Sequence, residues 1–184
     1  MAPATVDKAL QPKPVKGTGT GKTSRDTIQI VEFLLGSERF AIDLFDVREV
    51  VEYTSITKLP NASPYVRGII DLRGEITTII DLKHRLNITE AGGVAAESSR
   101  IIVLDNKNTG SRIGILVDDV TSVSTVEGNQ VDYTSASVSR EDTAIIGIIK
   151  RKVKEKEKET HELIIWIDIK QLLRDIDIGT KKDA

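Results

Sequence analysis

The feature of this 184-residue sequence that most constrains its fold is an internal repeat. Four segments of the first half recur in the same order in the second half: residues 27–31 as 100–104, 39–47 as 112–120, 68–70 as 147–149, and 79–83 as 166–170. The spacing between matched segments increases along the chain, as expected if loops are longer in the second copy. Self-similarity of this kind indicates two related units of about sixty residues each.

Each unit has the pattern of a set of short β-strands. Past residue 26 the chain carries short runs of Ile and Val, which Gly, Asn, Ser and Pro interrupt at close spacing. Residues 27–34 and 39–44 alternate between apolar and polar side chains on either side of a turn, which is typical of a β-hairpin. A sheet of about five short strands buries one face only if it closes or packs on its twin. The repeat therefore predicts a mainly β protein of two small five-stranded barrels that share an interface.

The same pattern divides the chain into segments. We expect a disordered N-terminal tail over residues 1–26, because residues 9–16 carry two prolines and two lysines and no strand pattern. The first barrel is predicted over about residues 27–90 and the second over about residues 98–176, with a C-terminal tail over residues 177–184.

A glycine-rich segment in the tail, residues 17–23 (GTGTGKT), resembles the phosphate-binding loop of a nucleotide hydrolase. That loop needs four residues between its first glycine and the Gly-Lys-Ser/Thr, and it follows a buried strand. Here the spacing is one residue short and no strand precedes it. The segment is better interpreted as a flexible Gly/Thr linker than as a nucleotide site.

Composition excludes several classes of function. The net charge of −2 gives no reason to expect a nucleic-acid partner, and 4% aromatic residues are too few for a base-stacking platform. The lack of cysteine excludes disulfides and thiolate metal sites, and it suits a reducing cytoplasm. No apolar run reaches the ~18 residues of a membrane span, and the N-terminus lacks the apolar core of a signal peptide. We therefore expect a cytoplasmic protein without direct membrane insertion.

No catalytic constellation stands out. His84 and His161 lie in charged surroundings, which indicates solvated histidines, and neither has a nucleophile motif beside it. Asp81 and Asp168 each follow an apolar strand and precede a lysine and leucines, so they are predicted to cap short helices rather than to catalyse. We expect no catalytic residue, no metal and no cofactor, which favours a binding module over an enzyme.

The second unit contains a charged insertion at residues 150–162 (KRKVKEKEKETHE) between two apolar strands. Its charges alternate in sign and its apolar content is low, so we predict a solvated hairpin arm or loop. The first half of the insertion is positive, which leaves open a basic recognition arm.

The most distinctive segment is residues 64–82 (PYVRGIIDLRGEITTIIDL), in which two apolar strands flank a Leu-Arg-Gly-Glu turn. Gly74 permits the positive φ that such a turn requires, and Arg73 taken alone reads as a solvated turn residue. This segment resembles the signature of the CheW family of chemotaxis coupling proteins, and the same family pattern continues in residues 40–43, 47–51, 115–120 and 163–169. The resemblance extends from about residue 27 to about residue 175. It implies two SH3-like five-stranded barrels, in agreement with the repeat.

The resemblance implies a non-enzymatic adaptor at membrane-associated receptor arrays. Its partners would be the regulatory domain of a CheA-type histidine kinase, bound barrel to barrel, and the helical cytoplasmic tip of chemoreceptors. By position, the resemblance implies receptor contacts at Val47, Glu49, Arg73, Ile101, Gly114 and Val123. It implies kinase contacts at Leu44, Arg67, Leu72, Arg73 and Gly74.

Two departures from the family pattern affect these expectations. The family usually has Asn where Asp71 stands, so the turn at Arg73 would carry a different charge, and the arm at residues 150–162 is unusually charged. The alternative is a regulatory β-barrel module that binds another signalling protein without a receptor.

Overall fold

The computed structural model describes residues 27–89, 98–105, 111–134, 144–155, 158–174 and 176. The tails predicted at residues 1–26 and 177–184 lie outside these residues, as does the glycine-rich segment at residues 17–23. The described chain forms a six-stranded and a five-stranded sheet with a few short helices. This confirms the predicted mainly β class.

The described residues contain eleven strands and two short α-helices. The strands are β1 (Thr27–Leu35), β2 (Glu38–Asp43), β3 (Val47–Glu52), β4 (Val66–Leu72), β5 (Glu75–Asp81), β6 (Arg100–Leu104), β7 (Ile113–Val117), β8 (Asp119–Glu127), β9 (Val131–Asp132), β10 (Ile145–Glu155) and β11 (Lys158–Ile167). Helix α1 (Leu82–Arg85) follows β5, and α2 (Ile169–Leu173) follows β11. Short 3-10 helices lie at Leu44–Asp46 and Gly128–Gln130.

The two repeat units exchange their first hairpins. The strand orders are β8-β1-β2-β11-β10-β9 and β3-β6-β7-β5-β4, so each sheet contains strands of both units. The pairings correspond: β1 is antiparallel to β8 as β6 is to β3, and β2 is parallel to β11 as β7 is to β5. The boundary predicted between about residues 90 and 98 therefore does not separate the two sheets, because hairpin β1–β2 pairs with strands of the second unit.

Each sheet closes into a barrel because the chain leaving one edge strand pairs at the other edge. In the five-stranded barrel, the chain beyond β3 brings Thr57 to Ile69 on β4, with N–O distances of 2.9 and 2.8 Å. Gly68 makes this approach possible, since a Cβ there would overlap the Thr57 carbonyl oxygen. In the six-stranded barrel, β8 leads through the 3-10 helix at Gly128–Gln130 into β9, which pairs with β10. The sixth strand, β9, is thus the segment that closes what is otherwise a five-stranded barrel.

The described residues form three apolar cores in this arrangement. The interiors of the two barrels are separate cores, and the largest core lies between the barrels. Because successive side chains on a strand point to opposite faces, β6 contributes Ile101 and Val103 to the interior of its barrel and Ile102 and Leu104 to the central core. Strands buried on both faces explain the nearly continuous Ile and Val runs of the sequence.

Matching aspartates begin the two α-helices. Asp81 Oδ1 accepts a hydrogen bond from the His84 amide at 3.1 Å, and Asp168 Oδ1 accepts one from the Gln171 amide at 3.0 Å. These bonds satisfy amides that the first turn of a helix leaves free, so the predicted capping role is confirmed. His84 and His161 are both exposed, as expected.

The charged insertion at residues 150–162 forms the outer part of the β10–β11 hairpin. The register continues from Lys150 opposite Leu163 to Glu155 opposite Lys158. The predicted hairpin arm is therefore confirmed.

Candidate partner-binding surfaces

The turn between β4 and β5 presents Arg73 at one end of the five-stranded barrel. Leu72 pairs with Glu75, so Arg73 and Gly74 are the two loop residues of this hairpin. Their φ angles of +55° and +82° are both positive, as a type I′ turn requires. The Gly74 amide donates a hydrogen bond of 2.7 Å to Asp71 Oδ1, so the carboxylate at this position stabilises the turn.

Arg73 is held by a carboxylate from another strand. Its Nη2 lies 2.8 Å from Glu49 Oε2 on β3, and its Nη1 donates to Glu49 Oε1 at 3.2 Å. The Arg73 side chain is 74% exposed and that of Glu49 is 21% exposed. Two parallel hydrogen bonds fix the plane of the guanidinium group, although an exposed pair stabilises the fold by at most about 1 kcal/mol. The remaining N–H donors of Arg73 are thus oriented towards solvent.

Apolar surface lies on the two strands that occupy matching positions in the repeat. Val123 on β8 is 60% exposed, and its counterpart Val50 on β3 is also exposed. Val47 is half-buried and packs against the central core, so it anchors the start of β3. Of the predicted apolar contacts, Val123 is the one that the structure leaves open to a partner.

Ile101 and Gly114 lie inside the five-stranded barrel rather than on its surface. Ile101 is completely buried, contrary to the expectation that it offers apolar surface to a partner helix. A Cβ at Gly114 would lie 2.8 Å from Ile101 Cγ2 and 2.9 Å from Ile79 Cδ1, so the glycine makes room for both side chains. Ile101 pairs with Val51 on β3, and its role here is to support that strand.

The residues predicted to contact a kinase do not form one cluster. Leu72 and Gly74 lie at the turn beside Arg73, and Leu72 packs partly against the barrel interior. Arg67 is exposed at the other end of β4, where its Nη1 lies 3.8 Å from Asp81 Oδ2. The five-residue separation from Leu72 corresponds to about 17 Å along the strand. Leu44 is half-buried on the central core.

Several exposed apolar side chains were not expected from the sequence. Phe45, in the 3-10 helix before β3, is 80% exposed. Ile76 and Leu163 are exposed at corresponding positions of β5 and β11. The repeat marks Ile76 and Leu163, because both units carry an apolar residue at this position. The alternation of apolar and polar residues does not tell an exposed position of this kind from a core position.

The described residues show no sign of a metal centre or a membrane span. Within residues 27–89, 98–105, 111–134, 144–155, 158–174 and 176, no group of three or more His, Cys, Asp or Glu side chains is placed to hold a metal ion. In the same part of the chain, none of the helices has the length and apolar character needed to cross a membrane.

The fold and sequence match a known class of protein. A family model described as a CheW-like domain matches residues 29–177. The chain therefore belongs to the CheW-like domain family, which confirms the resemblance drawn from residues 64–82.

Individual relatives agree with this assignment. The chemotaxis protein CheW of Thermotoga maritima is 28% identical over 160 residues, which cover 85% of this chain and 97% of that protein. The chemotaxis protein CheW of Bacillus subtilis is 28% identical over 125 residues, or 67% of this chain and 78% of that protein. The solved structure of the scaffolding protein TtCheW from Thermoanaerobacter tengcongensis is similar with a TM-score of 0.62 and 34% identity, covering 77% of this chain and 89% of that chain.

Proposed function

We propose that the protein is a non-enzymatic chemotaxis adaptor that couples chemoreceptors to a CheA-type histidine kinase in signalling arrays at the cytoplasmic membrane face. Membership of the CheW-like domain family, relatives named chemotaxis protein CheW and the similarity to a scaffolding protein support this role. The observation that carries it is the Arg73–Glu49 pair, an exposed and oriented guanidinium group on a rigid turn. Such a group suits specific contact with a partner protein.

On the receptor side, we assign direct polar contacts to Arg73 and Glu49 and an apolar contact to Val123. An amphipathic receptor helix would place its apolar face against Val123 and a carboxylate against the remaining donors of Arg73. Val47, Ile101 and Gly114 contribute indirectly by supporting β3, the strand that carries Glu49. Val47 anchors the start of β3 on the central core, Ile101 pairs with Val51, and Gly114 makes room for Ile101.

On the kinase side, the Leu72-Arg73-Gly74 turn and Arg67 are separated along β4, so they would touch different parts of a partner barrel. Leu44 supports this surface through the central core rather than by an exposed contact. Because Arg73 belongs to both sets, its substitution is expected to weaken both partners, whereas substitution of Arg67 is expected to weaken the kinase alone.

The kinase contact is tested by calorimetric titration with the regulatory domain of the CheA-type kinase from the same organism. We expect saturable one-to-one binding that Arg73→Glu and Arg67→Glu weaken. Arg48→Glu is the matched control, since Arg48 is exposed on β3 beside Glu49 and forms no ion pair with any described residue. Equal weakening by all three variants would mean that only net charge matters.

The receptor contact is tested by co-sedimentation with membranes that carry receptors. Arg73→Glu is expected to reduce co-sedimentation, and Arg67→Glu is not. Kinase binding without receptor binding would support the alternative of a regulatory module that works without a receptor. Absence of both would overturn the proposal.

A further inference from the structure

The β10–β11 hairpin borders a cleft of about 810 Å³ on the six-stranded barrel. Residues 129–134, which include β9, form one wall. Lys150, Arg151 and Lys152 of β10 and His161 of β11 line the other side. None of these residues belongs to the receptor or kinase surfaces assigned above.

An unpaired strand edge runs along this cleft. Strand β9 pairs with β10 only at Ile148 and Ile149, whereas β10 continues to Glu155. In the part of the chain that the structure describes, no strand pairs with β10 beyond Ile149 on the β9 side. Free backbone N–H and C=O groups on such an edge pair readily with another extended chain.

The cleft has a local surplus of positive charge, although the protein carries a net charge of −2. Lys150 Nζ lies 2.7 Å from Asp132 Oδ2, the one carboxylate of the lining. Lys152 is exposed and forms no ion pair with any described residue, and His161 lies opposite it on β11. An incoming acidic group would therefore find Lys152 and His161 available without displacing a partner within the described chain.

The floor of the cleft is held rigidly from inside the barrel. Arg151 Nη1 donates to Glu32 Oε2 at 2.9 Å, and Ser124 Oγ donates to Glu32 Oε1 at 2.5 Å. The Glu32 side chain is 1% exposed. The same Nη1 atom lies 3.5 Å from Oε2 of Glu162, the residue that pairs with Arg151 on β11. A strand fixed in this way loses little conformational freedom when a ligand binds beside it.

We propose that this cleft binds an extended acidic segment of a partner protein. The segment adds as a strand to the free edge of β10 and places its carboxylates against Lys152 and His161. Tyr133, an exposed residue of the lining, offers apolar contact to the intervening side chains. A peptide is favoured over a nucleic acid because the edge offers backbone pairing and the lining contains one aromatic side chain, too few for base stacking. This inference does not depend on the proposed adaptor function.

The probe is a fluorescein-labelled peptide of about ten residues that alternates Glu and Val, long enough to span the edge. Anisotropy of the full-length protein with this peptide should show saturable binding that weakens as salt is added. Lys152→Glu should weaken binding about tenfold or more, because it sets like charges against each other. Lys58→Glu, an exposed lysine of the other barrel, is the matched control and should leave the affinity unchanged.

Three further ligands test the stated chemistry. A peptide alternating Lys and Val should not bind, and a Glu-Val peptide with every backbone nitrogen methylated should bind at least tenfold more weakly. Tighter binding of single-stranded oligothymidine than of the Glu-Val peptide would overturn the proposal in favour of a nucleic-acid arm. No binding of the Glu-Val peptide, or equal binding by wild type and by Lys152→Glu and His161→Glu variants with unchanged circular dichroism, would also overturn it. Calorimetric titration of the same variants with the kinase regulatory domain tests the adaptor function independently, so failure of the peptide proposal and failure of the adaptor proposal can be distinguished.

Discussion

Lys83 Nζ on α1 lies 2.5 Å from Asp118 Oδ1, and this ion pair joins the first repeat unit to the junction of β7 and β8 in the second. Lys170, the repeat counterpart of Lys83, forms a similar pair, since its Nζ on α2 lies 2.6 Å from Asp46 Oδ1 just before β3. The two acceptors are offset by one residue, because the repeat counterpart of Asp46 is Asp119. The hydrogen bond to Asp46 raises the pKa of Lys170 above its ordinary value. Each pair links one repeat unit to the other, but the Lys83–Asp118 pair is less exposed, at 16% and 5%, than the Lys170–Asp46 pair, at 50% and 13%.

This difference in burial gives a matched pair of substitutions. We expect Lys83→Met to lower the free energy of unfolding by about 3 kcal/mol, because it leaves the Asp118 carboxylate buried without its counter-charge. Lys170→Met should lower it by less than about 1 kcal/mol, since that pair is half exposed. Urea denaturation of both variants measures the difference. Equal losses would contradict the burial argument, and Lys83→Met/Asp118→Asn should recover part of the larger loss.

Glu32 should make the stability of the protein depend on pH. Burial raises the pKa of this carboxyl, but hydrogen bonds from Arg151 and Ser124 outweigh burial and place the pKa below its ordinary value of 4.5. The unfolded chain therefore takes up this proton at a higher pH than the folded chain does. The stability that Glu32 contributes is present above about pH 4.5 and is lost as the pH falls through the folded pKa.

The measurement is urea unfolding of wild type and Glu32→Gln from about pH 7 to about pH 3. At neutral pH the variant should be less stable by about 1 to 3 kcal/mol, because it weakens a charge-assisted hydrogen bond. The difference from wild type should shrink below about pH 4.5. A difference that stays constant with pH would show that the Glu32 pKa is the same in the folded and unfolded chains.

Local features of this fold were predictable from the sequence, whereas features that depend on barrel closure were not. The capping role of Asp81 is predictable because it follows an apolar strand and precedes a lysine and leucines, and the amide that it accepts from lies three residues along the chain. The Arg73–Glu49 pair joins residues 24 positions apart, and it exists only because the strands close into a barrel. Burial of Ile101 and exposure of Val50 depend on which face each strand turns inward, and residue type does not determine this. The repeat predicts the strands. Because hairpins β1–β2 and β6–β7 have similar sequences, the sequence does not determine which sheet each one joins, and their exchange is seen only in the structure.

Gly114 provides a test of whether its contribution is packing or direct contact. Gly114→Ala places a methyl group within 3.0 Å of Ile101 and Ile79 in a filled core, so we expect a loss of about 1 to 3 kcal/mol in the free energy of unfolding. Kinase and receptor binding should be retained per folded molecule at a temperature well below the unfolding transition. A folded Gly114→Ala protein that has lost partner binding would instead show that this position contacts the partner.

The nucleotide-binding interpretation of residues 17–23 is separable from the adaptor function. We expect calorimetry to detect no binding of Mg-ATP or Mg-GTP to the full chain, because the loop is one residue short of a phosphate-binding loop. A variant that lacks residues 1–26 should bind the kinase domain with unchanged affinity. Nucleotide binding that disappears with this deletion would establish a site in the tail.

The Arg73–Glu49 pair allows a charge-swap experiment that separates fold from function. Arg73→Glu should change the free energy of unfolding by less than about 1 kcal/mol, because the guanidinium group is mostly exposed, but it should weaken partner binding at least tenfold. The double variant Glu49→Arg/Arg73→Glu restores an ion pair of opposite polarity, so it should recover any lost stability and not the binding. Thermal unfolding and calorimetry of wild type, Arg73→Glu and the double variant measure both quantities. Recovery of binding in the double variant would mean that the ion pair acts only by stabilising the turn, and that the partner does not contact the positive charge of Arg73 directly.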